Sequence, residues 1–170
     1  MKYALVIFPS KKLQDIVNSY RKRYDPLYAL IPPHITLKSA FEASEQQAEE
    51  LTVQLKKIAE RYEPFLLEVT KVKSFEPVSN TIYFKVEPVP ELEGLFVDFK
   101  NELPGDPPEY PFVPHITIGQ KLSKEEHADI YRQLEMVGIE HEEVINRFHL
   151  IYELDNGIWT VYETFHLGKD

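Results

Sequence analysis

The stretch PPHITLKSAF, Pro32 to Phe41, returns in altered form as VPHITIGQKL, Val113 to Leu122. Both contain Pro-His-Ile-Thr followed by an apolar residue, and His34 and His115 are 81 positions apart. A proline disfavours helix in the residue before it, and isoleucine and threonine suit pleated backbone, so both segments read as strands. Side chains on a strand alternate between its faces. His34 and Thr36 therefore share one face, with Ile35 and Leu37 on the other; His115 and Thr117 match them, with Ile116 and Ile118 opposite. The apolar face belongs to a core. The polar face carries an imidazole and a hydroxyl side by side, twice.

What surrounds the two segments also repeats. Lys2 to Pro9 has strand formers stopped by a proline, and Ser10 can cap a helix that runs to Tyr24 with Leu13, Ile16, Val17 and Tyr20 at helical spacing. After PPHIT, Ser44 opens a helix, SEQQAEELTVQLKKIAERY, whose stripe is Ala48, Leu51, Leu55, Ile58 and Tyr62. Phe65 to Glu76 then reads as a strand. The order restarts with a strand over Thr81 to Pro88 and a helix over Glu91 to Leu103 with Leu92, Leu95, Phe96 and Phe99 on one side. PGDPPEYPFVP is a proline-dense loop before the second motif. Ser123 and Glu126 form a capping-box pattern that opens a helix to about Val137. Glu143 to Leu154 reads as one strand, and Asp155-Asn156-Gly157 as the turn of a hairpin into IWTVYETFHL. His34 lies 31 residues after Tyr3 and His115 lies 32 after Tyr83. The pattern predicts an α+β fold that is internally duplicated and two-lobed. It has antiparallel sheets, helices outside and a central cleft between pseudo-twofold halves. A single domain over 1–170 is expected, with halves of about 1–78 and 79–170.

Bulk properties narrow the function classes. At 43% hydrophobic and 12% aromatic residues, a chain of 170 residues builds a sizeable core. No apolar run is long enough to span a membrane. The short apolar start reads as a strand rather than a signal peptide, so a cytoplasmic address and a monomer are the defaults. The absence of cysteine excludes disulfides, thiolate zinc sites and a cysteine nucleophile. A net charge of −9 disfavours a long nucleic-acid track over the surface. Basic residues nonetheless cluster in SYRKRY (Ser19 to Tyr24) and TKVKSF (Thr70 to Phe75), where a solvated face is the bland alternative to a phosphate-binding cleft.

If the halves pack about a twofold axis, two imidazoles and two hydroxyls converge on one cleft. Such a cleft suits in-line displacement at phosphorus. One neutral histidine takes a proton from the attacking group and the other, charged, protonates the leaving oxygen. The threonines hold non-bridging oxygens, so no metal or other cofactor is required. Two His-x-Thr-x motifs in a duplicated chain of this length resemble the 2H phosphoesterase superfamily, and the whole chain resembles its bacterial YjcG-type branch. The resemblance implies a hydrolase acting on ester bonds, with His34 and His115 catalytic and Thr36 and Thr117 binding phosphate. It also implies His34 as proton donor and His115 as acceptor, although pseudo-symmetry leaves the reverse open. The substrate class it implies is a cyclic phosphate, a small nucleotide or an RNA-end phosphodiester.

Other candidates stand beside simpler readings. Lys38 continues the series His34, Thr36 and can reach the same phosphate, or it is a solvated strand end. Gly119 takes its place in the second half, where it leaves room for substrate or bends a strand. Tyr110 is a candidate for stacking on a base, Phe112 for stapling the loop to the core. Tyr3 and Tyr83 are candidates for matching positions beside the cleft or for core packing. His127 and His141 read as exposed, and His149 and His166 as structural neighbours across the hairpin, with no metal-ligand spacing. The competing functional reading is a non-catalytic module that binds a nucleotide or RNA end in the same cleft.

Overall fold

The computed structural model describes residues 1–169. The chain runs β1 (Lys2–Ile7), α1 (Lys11–Tyr24), β2 (Ile35–Glu42), α2 (Glu45–Glu60), β3 (Phe65–Ser74) and β4 (Ile82–Val86). It continues through α3 (Pro90–Glu102), β5 (His115–Gly119), α4 (Lys124–Val137), β6 (His141–Ile145), β7 (Arg147–Glu153) and β8 (Trp159–His166). The expected caps form. The Ser10 side chain accepts from Leu13 N–H, and both Ser44/Gln47 and Ser123/Glu126 close reciprocal capping boxes, satisfying amides that a helix start leaves without partners. Gly157, at φ +85°, supplies the left-handed residue of the β7–β8 hairpin.

The strands form two antiparallel four-stranded sheets, ordered β2-β1-β7-β8 and β5-β4-β3-β6. Rotating one sheet onto the other matches β2 with β5, β1 with β4, β7 with β3 and β8 with β6. The match reveals an exchange. β3 follows α2 in sequence yet pairs with β4 in the second sheet, while β7 returns to pair with β1 in the first. The helices cross as well: α1 packs on β5 and α3 on β2. Tyr20 of α1 meets Phe84 of β4 edge-on at 6.1 Å between ring centroids, and Phe99 of α3 meets Phe148 of β7 at 5.1 Å. One hydrophobic core therefore runs through both lobes.

One expected strand proves to be two. The segment read as continuous from Glu143 to Leu154 changes sheets at Asn146: β6 pairs with β3 and β7 with β1. Period-two patterning cannot register this, because both pieces are extended and only their partners differ. In β1, every residue after Lys2 is buried, on both faces. Its second face is covered by Leu27 and Ile31 of the loop after α1, which form a small apolar cluster with Ala4, Val6 and Ile151.

Phe148, fully buried between Phe99 and Phe165, ties the crossing helix α3 to the first sheet. Phe148→Ala is expected to lower unfolding free energy by about 3–5 kcal/mol, read as a reduced urea midpoint with unchanged m-value. A loss below about 1 kcal/mol would place that contact outside the cooperative core.

Candidate active site

β5 begins at His115 and β2 one residue after His34, and both strands carry the same irregularity. Thr36 opposes Val6 and Lys38 opposes Leu5, so the β1–β2 ladder skips Leu37; Thr117 opposes Tyr83 and Gly119 opposes Ile82, so the β4–β5 ladder skips Ile118. Each strand thus bulges one residue after its threonine, a device that re-aims side chains beside functional sites. The bulge interrupts the alternation that carried His34 and Thr36 on to Lys38. Lys38 Nζ sits 5.4 Å from the Phe41 ring centroid, toward the proline-dense loop at Gly105. In the second motif Gly119 is occupied by protein: an added Cβ would lie 3.0 Å from Tyr24 Cβ and 3.4 Å from Tyr24 O. The glycine admits the end of α1, where Gln120 N–H donates to Tyr24 O at 3.0 Å.

His34 and Thr117, from opposite halves, line one cavity of about 190 Å³ together with Arg21, Asp25, Leu27, Ile31, Pro33 and Gln120. Strands β2 and β5 touch, and a charge on His115 is felt at His34. Thr36 and His115 stand on the same strand ends, each half-buried. Lys38 does not line the cavity, and Tyr110 is exposed on the loop before His115.

The two imidazoles are held alike. His34 Nδ1 donates to Pro32 O at 2.8 Å and His115 Nδ1 to Val113 O at 2.6 Å. A carbonyl only accepts, so in the neutral ring each Nδ1 carries the hydrogen and each Nε2 keeps a free lone pair. Burial lowers the pKa of His34 to about 4, with the Arg21 cation and His115 adding to the fall, and the Pro32 carbonyl and Asp25 opposing it. Burial also lowers His115, against the Val113 hydrogen bond.

Their surroundings differ. Beside His34 lies a buried ion pair, Arg21 Nε to Asp25 Oδ2 at 3.2 Å, with both side chains 2% exposed. Arg21 also donates to Asn18 Oδ1 at 2.9 Å and Ile31 O at 2.6 Å. Asp25 Oδ1 accepts from Leu27 N–H at 2.8 Å and from Gln120 Nε2 at 2.9 Å, tying the loop that carries His34 to the end of β5. Around His115 the walls are aromatic: Phe75 at 4.9 Å and Tyr83 at 5.2 Å, both edge-on, with Phe75 stacked on Tyr83 at 4.2 Å.

Several sequence expectations change here. His127 is not exposed: it is 3% accessible, its Nδ1 donates to Glu76 Oε2 at 3.0 Å, and its Nε2 accepts from Ser74 Oγ at 2.6 Å. That link anchors α4 to both neighbours of Phe75. His141 is paired as well, with Glu143 at 2.7 Å. His149 opposes Thr164 and bonds its hydroxyl at 2.9 Å, and His166 opposes Arg147, so the two histidines are diagonal neighbours across the hairpin, as expected. Tyr3 and Tyr83 are not equivalent: ladder register matches Tyr83 with Val6, and Tyr3 packs among Phe41, Tyr152 and Tyr162. Phe112 stacks on Phe96 at 4.4 Å, as expected of a staple. Sequence reasoning placed Arg21 only within the basic cluster SYRKRY and missed Asp25 and Gln120. The i,i+4 spacing of Arg21 and Asp25 was the available signal; Gln120 gave none, because it meets them only through the crossing of α1.

A duplicated two-lobed α+β fold that presents one His-x-Thr strand from each half to a shared cleft is the architecture of the two-histidine phosphoesterases. The family model described as the 2′-5′ RNA ligase superfamily matches residues 8–157, and the chain belongs to that family. It is 56% identical over 168 residues to a Bacillus licheniformis protein named "Putative phosphoesterase", covering 99% of both chains. A Bacillus pumilus protein of the same name is 53% identical over 174 residues, covering 100% of this chain and 99% of that one. Among solved structures, E. coli LigT complexed with 3′-AMP superposes with a TM-score of 0.71 at 15% identity, over 99% of this chain and 98% of that one. TT0787 of Thermus thermophilus gives 0.70 at 21% identity, over the full length of both. These last two likenesses establish the shared fold.

The depressed histidines yield a titration test. In the free protein the His34 ring is expected to stay neutral down to about pH 4, followed by ring-carbon NMR shifts. A native pKa below the ordinary 6.5 means that the unfolded chain binds more protons, so stability is present above 6.5 and is lost as pH falls from there toward 4. A His34 titration at or above 6.5 would contradict the burial and the Arg21 charge that lower it.

Proposed function

We propose that the protein is a phosphoesterase that cleaves a small nucleotide or RNA-end phosphodiester by two-histidine acid–base catalysis. One observation carries the reading: His34 and Thr117, from opposite halves, line one cavity, and both histidines are locked through Nδ1 with Nε2 free. A neutral Nε2 accepts the proton of the attacking water or hydroxyl, and a protonated Nε2 delivers one to the leaving oxygen. Thr36 and Thr117 donate to the non-bridging oxygens as charge develops there. The family membership and the phosphoesterase names of the relatives support the reaction class.

Both histidines sit below their ordinary pKa in the free protein. The acid must therefore take up its proton with the substrate, whose phosphate anion restores stability to the imidazolium. The superfamily resemblance gives His34 as donor and His115 as acceptor. A second reading reverses them: burial, with the Arg21 cation adding to it, keeps His34 neutral and so fit to act as base. The half boundary near residue 78 and a stacking role for Tyr110 belong to this proposal too. Tyr110 is 60% exposed on the loop that leads to His115, which leaves its ring free for a base.

The test incubates the protein with EDTA and a panel of nucleoside 2′,3′-cyclic phosphates and 2′-5′ dinucleotides. Wild type is expected to turn over, with His34→Ala and His115→Ala each slower by about 10²–10⁴-fold and Thr117→Val by about 10²–10³-fold. The bell in kcat/KM reports the free-protein pKa values, so its maximum is expected between about 4 and the ordinary 6.5 of histidine. Nucleotide affinity without turnover would select the binding module instead. A maximum well above neutrality would remove the two depressed histidines from the mechanism.

A further inference from the structure

The face of the second sheet that bears His115 and Thr117 also carries lysines. Residues directly opposite each other on neighbouring strands share a face. His115 of β5 opposes Lys85 of β4, which opposes Lys71 of β3; Thr117 opposes Tyr83, which opposes Lys73. Two parallel rows thus leave the motif strand, His115–Lys85–Lys71 and Thr117–Tyr83–Lys73. At about 4.8 Å per strand, Lys71 and Lys73 stand about 10 Å from the motif strand. Both are exposed, and Lys85 is half-buried.

Nothing in the fold calls for this arrangement. Like charges directly opposite on neighbouring strands destabilise a sheet, and Lys71 and Lys85 are such a pair. Among the described residues none of the three lysines has an acidic partner within ion-pair distance. Glu87, two residues beyond Lys85, is engaged by the Thr70 hydroxyl at 3.3 Å. In a chain of net charge −9, this cluster stays, among the described residues, without an ion-pair partner beside the candidate catalytic strand.

We infer that Lys71, Lys73 and Lys85 form a subsite for a second phosphate of the substrate, outside the His-x-Thr cleft and reached across β4. The inference rests on the phosphoesterase reading for the position of the scissile phosphate, which the β5 end of each row holds. A substrate that spans both sites carries a second phosphate group beyond the one attacked, either a terminal 5′-phosphate or the next phosphodiester of an oligonucleotide. The lysines supply charge and no base readout, so the subsite selects for phosphate number rather than sequence.

Three compounds separate the possibilities: adenosine 2′,3′-cyclic phosphate, its 5′-phosphorylated form, and the dinucleotide ApA ending in a 2′,3′-cyclic phosphate. Wild type is expected to show a KM about tenfold lower for at least one of the latter two than for the parent, with similar kcat. A gain confined to the 5′-phosphate marks a terminal phosphate as the ligand; a gain confined to ApA marks a phosphodiester. The triple variant Lys71→Ala, Lys73→Ala, Lys85→Ala is expected to erase the gain, leave kinetics on the parent compound unchanged, and unfold at the same or a higher urea concentration. Equal KM values for all three compounds on wild type overturn the subsite, as does a triple variant that loses as much on the parent. If no compound turns over, the phosphoesterase reading fails by itself. The subsite is then judged by anisotropy competition between adenosine 3′-phosphate and adenosine 3′,5′-bisphosphate: a tighter bisphosphate in wild type alone sustains it, and equal affinity overturns it.

Discussion

Each half of this chain lends its closing strand to the other half's sheet, and that exchange fixes everything else. β3 completes the sheet built on β4, and β7 completes the sheet built on β1. The first helix of each half crosses in the same sense, α1 to β5 and α3 to β2. Neither half closes its sheet or covers its apolar face alone, so the two motif strands cannot drift apart without opening the common core. The cleft between them is held by the strongest term available, burial of a shared apolar surface, to which the Gln120 bonds to Asp25 and Tyr24 add direct ties. The arrangement also has a kinetic side. Pairings such as Tyr3 with Tyr152 join the two ends of the chain, and loop closure of that length must precede the contacts that reward it.

What could be read from the sequence was whatever is encoded locally. Helix starts at Ser10, Ser44 and Ser123 were legible because a cap is a contact over three residues. The two His-x-Thr strands were legible because alternation and a preceding proline act within a few positions. The break at Asn146 was not, because a strand that changes sheets keeps the same local conformation on both sides. His127 looked like a surface histidine amid Lys124, Glu125 and Glu126, yet it lies on the buried stripe with Ile130 and Leu134. Its partners, Ser74 and Glu76, are about fifty residues away, beyond the reach of periodicity. Of the candidate site, His34 and Thr117 came together in one cavity; the Arg21–Asp25 pair left only its i,i+4 spacing, and Gln120, which meets it through the crossing of α1, left no trace.

The asymmetry within the repeat, Leu37-Lys38 against Ile118-Gly119, turns out to be structural on one side. Both pairs sit at the same bulge, and the second has a glycine because the end of α1 packs there. Its counterpart keeps a long side chain, and Lys38 leans over Phe41 toward Gly105. The difference follows from which helix ends where, not from room left for a ligand.

A larger asymmetry lies around the histidines, and the proposed two-histidine acid–base chemistry would draw on it. Two identical, independent imidazoles would hold one proton between them in at most about half of the molecules, at the single pH equal to their pKa. Separating the two values widens the range over which one ring is neutral and the other charged. The repeated motif cannot create that separation, since both copies fix Nδ1 on a carbonyl two residues back. The unrepeated segments do. The loop after α1 sets the Arg21–Asp25 pair beside His34, while the end of β3 sets Phe75 beside His115 and pins it through Ser74 and Glu76 to His127. Burial lowers both rings; at His34 the Arg21 charge adds to it, whereas His115 is enclosed by aromatic walls. Duplication supplies two equal groups, and the parts of the chain that were not kept alike make them unequal.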